Sequence, residues 1–169
     1  MKTRYLKSED LINYKGDIIQ CYLDNLQIMD SQSPLDFTKE EDVISYIYPL
    51  IDGFESAVMG IFDDNEEYLF GLIVYDGIRL TEDGNAAQLH LATCKEMWGS
   101  EFISVYEEEL RVSMFNTLYC MIPSYCRSVI SLIKKLGFKK TGYIPKALPY
   151  TNLKGKTKMY DELIYVYTK

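Results

Sequence analysis

Apolar positions along the chain switch repeatedly between a helical and a strand-like period. Arg4-Tyr5-Leu6 predicts a short first strand. After Ser8, the spacing of Leu11, Ile12, Ile18, Ile19, Tyr22 and Leu23 predicts a helix, with Gly16 as the place where it splits. Asp30 to Asp36, rich in Ser, Pro and Asp, reads as a loop. Thr38-Lys39-Glu40-Glu41 has the form of a capping box, in which hydroxyl and carboxylate satisfy exposed amides reciprocally. It predicts a second helix through Val43, Ile44, Tyr46 and Ile47, ending near Pro49.

The pattern then turns to strands. Ser56 to Phe62 and Tyr68 to Tyr75 flank the acidic turn Asp63-Asp64-Asn65-Glu66-Glu67 and predict a hairpin. Asp76-Gly77 and Asp83-Gly84-Asn85 predict further turns, and Ala87 to Thr93 another strand. Phe102, Val105, Tyr106, Leu110 and Met114 place one apolar face on a helix over Glu101 to Phe115. Leu118 to Ile122 suits a buried strand, and Ser124 is placed to cap the helix Tyr125 to Leu136 that follows. Lys134 and Lys135 precede Gly137, a helix stop with cations against the negative end of its dipole. Phe138 to Tyr143 and Asp161 to Tyr167 are extended, separated in part by the polar stretch Thr151 to Lys158.

The resulting order, β-α-α-β-β-β-α-β-α-β-β, predicts an α/β (α+β) fold with a mixed central sheet flanked by helices. At 169 residues and 47% apolar content the chain is expected to form one domain over 1–169. No apolar run approaches the ~20 residues of a membrane span, and the N-terminus does not read as a signal peptide. The expectation is a soluble, cytoplasmic protein.

Charge changes this picture more than composition does. The net charge of −7 divides into −15 over the first 118 residues (8 basic, 23 acidic) and +8 from Tyr119 onward (10 basic, 2 acidic). Overall acidity argues against nonspecific nucleic-acid binding, while the basic end suits a phosphate-bearing ligand. Equally, two solvated faces can simply differ in sign. Cys21, Cys94, Cys120 and Cys126 lack the spacing of a zinc or redox motif and read as buried thiols, so no metal is expected.

The element order, together with Leu136-Gly137-Phe138 followed by Thr141-Gly142-Tyr143, resembles the GNAT superfamily of N-acetyltransferases, most clearly from Ala87 to Tyr143. The resemblance implies acetyl-CoA bound in a notch between two splayed strands, with its pyrophosphate on amides at a helix start. By that resemblance Leu91, Ala92 and Thr93 line the notch, Lys95 stands at the usual basic position and Ser100 at the small one, and Gly99 joins them as a cofactor contact. Trp98 takes the place of one glycine and Glu96 adds a carboxylate; Gly99 and Ser100 can also be read as a plain helix start. In the next helix, Cys126 and Ile133 occupy the positions of the family's asparagine and its proton-donating tyrosine, and Cys126 stands as a cofactor contact.

His90 is the only histidine. It reads either as a catalytic base, able to take a proton from an amine, or as a packed strand residue. Alternation sets Leu89 and Leu91 on one face and His90 on the other. Tyr143 and Tyr150 are candidates to line a substrate groove. The implied activity is acetyl transfer to a primary amine on a small molecule or a protein, with a cationic acceptor suited to the acidic half. The Trp98-Gly99 arm downstream of His90 also resembles divergent GNAT-like proteins of bacteriophages. That implies the alternative of a degenerate GNAT-fold binding or assembly protein, acting as a homo-oligomer, a virion component or a host-interaction component.

Overall fold

The fold is built on a seven-stranded sheet in the order β1-β2-β3-β4-β5-β7-β6. The computed structural model describes residues 1–25, 36–95, 99–151 and 155–169. The loop expected at Asp30 to Asp36 lies outside these except for Asp36, as do Glu96 and Trp98 and residues 152–154 of the polar stretch. Among the described residues no helix is long and apolar enough to cross a membrane, and no cluster of side chains could hold a metal ion.

The strands are β1 (Lys2–Tyr5), β2 (Ala57–Phe62), β3 (Leu69–Thr81), β4 (Gly84–Thr93), β5 (Thr117–Pro123), β6 (Lys139–Thr151) and β7 (Thr157–Thr168). The helices are α1 (Asp10–Asn13), α2 (Lys15–Leu23), α3 (Glu40–Asp52), α4 (Ser100–Val112) and α5 (Arg127–Lys135). β4 and β5 pair in parallel, and every other described neighbour pair is antiparallel.

Both faces of the sheet are covered, which explains the near-continuous apolar run of β3. Leu72 and Val74 share one core with Ile18, Cys21 and Tyr22 of α2 and with Val43 and Ile47 of α3. Ile73 and Tyr75 share the other with Phe102, Tyr106 and Leu110 of α4 and with Ile133 of α5.

Arg4 fastens the first core at its edge. Its guanidinium bonds both Asp10 oxygens at 2.8 and 2.9 Å, bonds Glu66 at 2.9 Å, and lies 4.5 Å from the Phe62 ring centre. The Arg4 bonds hold the buried Asp10 carboxyl below its ordinary range against the opposing push of burial.

Several expected features take another form. The helix after β1 splits at Tyr14, whose backbone (φ −116°, ψ 23°) is not helical, and Gly16 lies inside α2. The capping box does not form: Lys39 is the N-cap, and the Thr38 hydroxyl turns back to Asp36 at 2.5 Å. α3 runs past Pro49 to Asp52; so close to the helix end, the missing N–H forfeits a single bond. Ser124 does not cap α5, whose N-cap is Cys126; the Ser124 N–H donates to the Asp161 carbonyl at 2.9 Å.

Asp76-Gly77 makes no turn. β3 continues through it by a bulge, with Gly77 at φ +57°, a conformation glycine adopts without strain. Gly137 stops α5 as expected, at φ +88°, and the Phe138 N–H reaches back to the Ile133 carbonyl at 3.1 Å.

Candidate active site

The hydrogen bonds of β4 decide what its residues can do. Cys94, just past its end, donates its N–H to the Phe70 carbonyl at 3.0 Å, continuing the register that pairs Ala92 with Leu72 and His90 with Val74. Bonded pairs alternate along an antiparallel ladder, so the backbone groups of Ala92 and His90 turn to β3. Those of Leu91 and Thr93 turn to the opposite edge.

On that edge β5 accompanies β4 only through Ala86–Thr117, Ala87–Leu118 and Gln88–Tyr119. β4 then continues to Thr93 and β5 to Pro123 with no further pairing between them among the described residues. β5 is meanwhile held to β7 along its whole length, from Thr117–Thr168 to Pro123–Glu162. The two strands therefore part at their C-terminal ends. The Leu91 N–H and C=O lie on the rim of the notch. The Thr93 carbonyl is taken by the Asn25 amide at 2.7 Å, which also bonds the Cys21 carbonyl and so ties the end of α2 to this wall.

At the mouth, the Lys95 N–H donates to Asp24 at 2.8 Å, and its exposed ammonium stands 3.4 Å from the same carboxylate. Gly99 is the exposed, extended N-cap of α4, and a side chain added there would meet nothing within 4 Å. Ser100 opens the helix. Among the described residues no side chain caps the start of α4, and a helix start with unpaired amides is the arrangement that receives an anion.

The opposite wall is apolar. Ile133 is 2% exposed and belongs to the core under α4 and α5. Cys126 is buried there too, and burial pushes its thiol up to about 11, which leaves it un-ionised near neutral pH. Neither residue presents an acid of ordinary strength. All four cysteines are buried and form no disulfide, as expected.

His90 faces the core beneath α1 to α3, opposite to Leu89 and Leu91, as alternation predicts. That face is also covered, so the imidazole is largely enclosed, and its Nε2 has no hydrogen-bond partner among the described residues. Burial lowers its pKa from the ordinary histidine value, and the charge of Asp76 opposes that shift. The ring is therefore a neutral base at pH 7 with an unused lone pair or N–H.

Sequence reasoning missed a polar row next to His90. Register sets Asp76 of β3 beside Gln88 of β4, and Gln88 beside Tyr119 of β5, all on the His90 face. The Tyr119 hydroxyl lies 3.9 Å from where a Cβ on Gly77 would stand, so this side chain reaches across β4 to the Asp76-Gly77 bulge. The aspartate-glycine pair signalled irregular backbone in the sequence, but a bulge and a turn share that signal. A second polar feature lies beyond the end of β5. It is an open cleft of about 490 Å³ lined by Ser124, Tyr125, Arg127, Lys158, Met159, Tyr160 and Asp161. Tyr150 packs on Tyr125 at 4.8 Å beside it, whereas Tyr143 is exposed on β6.

No protein-family model and no curated protein sequence matches the chain. Solved structures do. A spermidine N-acetyltransferase from Vibrio cholerae, in complex with CoA and spermine, superposes with a TM-score of 0.69 at 14% identity over 99% of this chain and 94% of that one. An acetyltransferase from Salmonella typhimurium that modifies the N-terminal serine of a 50S ribosomal subunit protein gives 0.67 at 15% identity, over 99% and 94%. An acetyltransferase of the GNAT family from Streptococcus pneumoniae gives 0.65 at 13% identity, over 99% of both chains. At such identities the likeness is one of architecture, and the fold of this chain is that of the GNAT acetyltransferases.

Proposed function

We propose that the protein is an N-acetyltransferase that moves the acetyl group of acetyl-CoA to a primary amine. The observation that carries this reading is the parting of β4 and β5 after Gln88–Tyr119, which leaves the Leu91 backbone edge without a partner strand. An extended ligand bearing amides can pair there as a short strand would. Bound acetyl-CoA would supply the activated acyl thioester. The uncapped start of α4 at Gly99 and Ser100 suits its phosphates, with Lys95 adding positive charge and Cys126 facing from the far wall. The Leu91 N–H is the donor available to polarise a carbonyl at the rim. His90, neutral and unpartnered, takes a proton from the incoming amine.

Enclosed Ile133 and un-ionised Cys126 favour a second reading, in which the fold binds the cofactor or a partner protein without transfer. Thermal unfolding with acetyl-CoA, combined with a thiol-release assay on a panel of amines, separates the two. Ligand at about 100 times its dissociation constant adds about 2.7 kcal/mol to stability. A shift with amine-dependent thiol release is the expected result. A shift without release gives the second reading, and no shift at millimolar ligand ends both cofactor readings.

A further inference from the structure

The polar row on the His90 face has no structural duty that explains it. We propose that Asp76, Gln88 and Tyr119 form an ammonium-binding subsite beside His90, so that the acceptor is a cationic amine held by the Asp76 carboxylate. This rests on the reading of the notch as a site of acetyl transfer to an amine.

Four observations support the subsite. The first is register: Asp76, Gln88 and Tyr119 are consecutive neighbours across three strands, and His90 follows Gln88 by two positions on the same face. Diagonal neighbours of this kind lie about 7 Å apart, within the span of a small organic cation. The second is the reach of Tyr119, whose hydroxyl closes over the bulge at Gly77. It thereby brings a hydroxyl to the bulge that carries Asp76, and an ammonium needs several acceptors at once. The third is that Asp76 is only half-buried and spends one oxygen on its own neighbour, the Gly77 N–H at 2.8 Å. No described cation pairs with it. The fourth is the Nε2 of His90, buried without a partner among the described residues.

The groups facing His90 from the surrounding elements are few. Asp76 comes from β3 and Tyr119 from β5 on the same face of the sheet, and Tyr46 of α3 lies within the field of Asp76. α2 contributes Ile18, Cys21 and Tyr22 to that core. Asp76 is thus the one carboxylate whose charge acts on the imidazole. When the ammonium gives up a proton to the imidazole, directly or through a bridging water, the positive charge moves from the amine nitrogen to the ring, and the amine keeps a lone pair. The charge stays within reach of Asp76 before and after, so the carboxylate favours both the arrival of the cation and the imidazolium that follows.

Because His90 is the only histidine, its ring protons report the site in the untagged full chain by NMR, without any need for activity. Titration with 1,4-diaminobutane is expected to shift the His90 signals saturably, while 1,4-butanediol of the same length leaves them in place. Asp76→Asn, whose amide oxygen can still accept from Gly77, is expected to weaken the diamine response about tenfold or more and to move the His90 titration to lower pH. Tyr119→Phe should weaken it by a smaller factor. A circular dichroism melt confirms that each variant folds. Equal responses to diamine and diol, no diamine response at 100-fold excess, or an Asp76→Asn titration like that of the wild type would each overturn the subsite. If the diamine response depends on Asp76 but no thiol is released from acetyl-CoA, the subsite stands and the acetyl-transfer reading fails. If transfer to diamines proceeds with an unchanged KM in Asp76→Asn, the transfer reading stands and the subsite fails.

Discussion

The two walls of the notch are made on different principles. The β4 wall belongs to the acidic half of the chain, where charge and hydrogen bonds add to the packed core: Arg4 to Asp10 and Glu66 at the far edge, and Lys95 to Asp24 and Asn25 to the Thr93 carbonyl at the notch. The β5 wall belongs to the basic half and is tied by packing. Tyr125 stands against Tyr150 and Tyr160 at 4.8 and 5.0 Å, Phe138 lies against Tyr167, and Lys140 and Lys158 lie over tyrosine rings. The contrast assigns the tasks. On the proposed reading, the β4 wall would offer a base, a carboxylate and a bare strand edge to the acceptor, with Lys95 and the start of α4 beside it for phosphates, while the β5 wall would supply a firm apolar backing.

The sharpest way to break that assignment is at the rim. Leu91→Pro removes an N–H that faces the notch and no bond to β3, whereas Leu91→Ala shortens the side chain and keeps the N–H. Transfer by the proline variant is expected to fall by roughly 100-fold or more below the alanine variant, the scale for one lost carbonyl-polarising donor. Equal rates in the two would remove Leu91 from the chemistry.

His90→Gln tests the same wall, with an expected loss of about 100-fold at pH 7.5. Its pH profile has a definite sign. Transfer needs the neutral ring, and burial lowers the pKa. Wild-type activity should therefore persist below the ordinary value of about 6.5 and fade only as pH drops through the folded value. The glutamine variant should lack that acid limb.

Arg4→Ala addresses how the acidic half is held. It leaves the buried Asp10 carboxylate without its main partner, and a loss of about 2 kcal/mol in denaturant unfolding is expected, discounted because Arg4 is itself partly exposed. Asp10 is depressed in the folded state, so its contribution is present above the unfolded value near ~3.9 and disappears as pH falls toward the folded value. The difference between variant and wild type should narrow over that acid range. Ile133→Tyr tests the packed wall. Adding a ring to an enclosed position costs about 1.5 kcal/mol by overpacking, and no gain in transfer is expected. A rise in rate would mean that this position still opens on the site.

How much of this was readable beforehand depends on distance along the chain. Element order followed from periodicity because helix and strand patterns are local, and Gly137 was legible because a glycine after two lysines has a simple consequence at a helix end. Thr38 and Ser124 misled because each can cap a helix: the Thr38 hydroxyl bonds Asp36, and a turn in which the Cys126 N–H donates to the Pro123 carbonyl moves the start of α5 past Ser124. Leu91 and Gly99 came with the family resemblance. Asp76, Gln88 and Tyr119 were invisible as a group, since only the register of three strands sets them in a row. Nor could alternation alone show that the face of His90 is covered as well.

The brief pairing of β4 with β5 also has a mechanical side. Within the sheet, three residue pairs join four strands on one side to three on the other. The sheet behaves as two plates riveted at one end, with the notch as the gap between their free edges. Amide hydrogens beside this joint should exchange by opening of the seam well before either plate unfolds. A ligand lying along Leu91 would splint the gap, slowing exchange on both plates together.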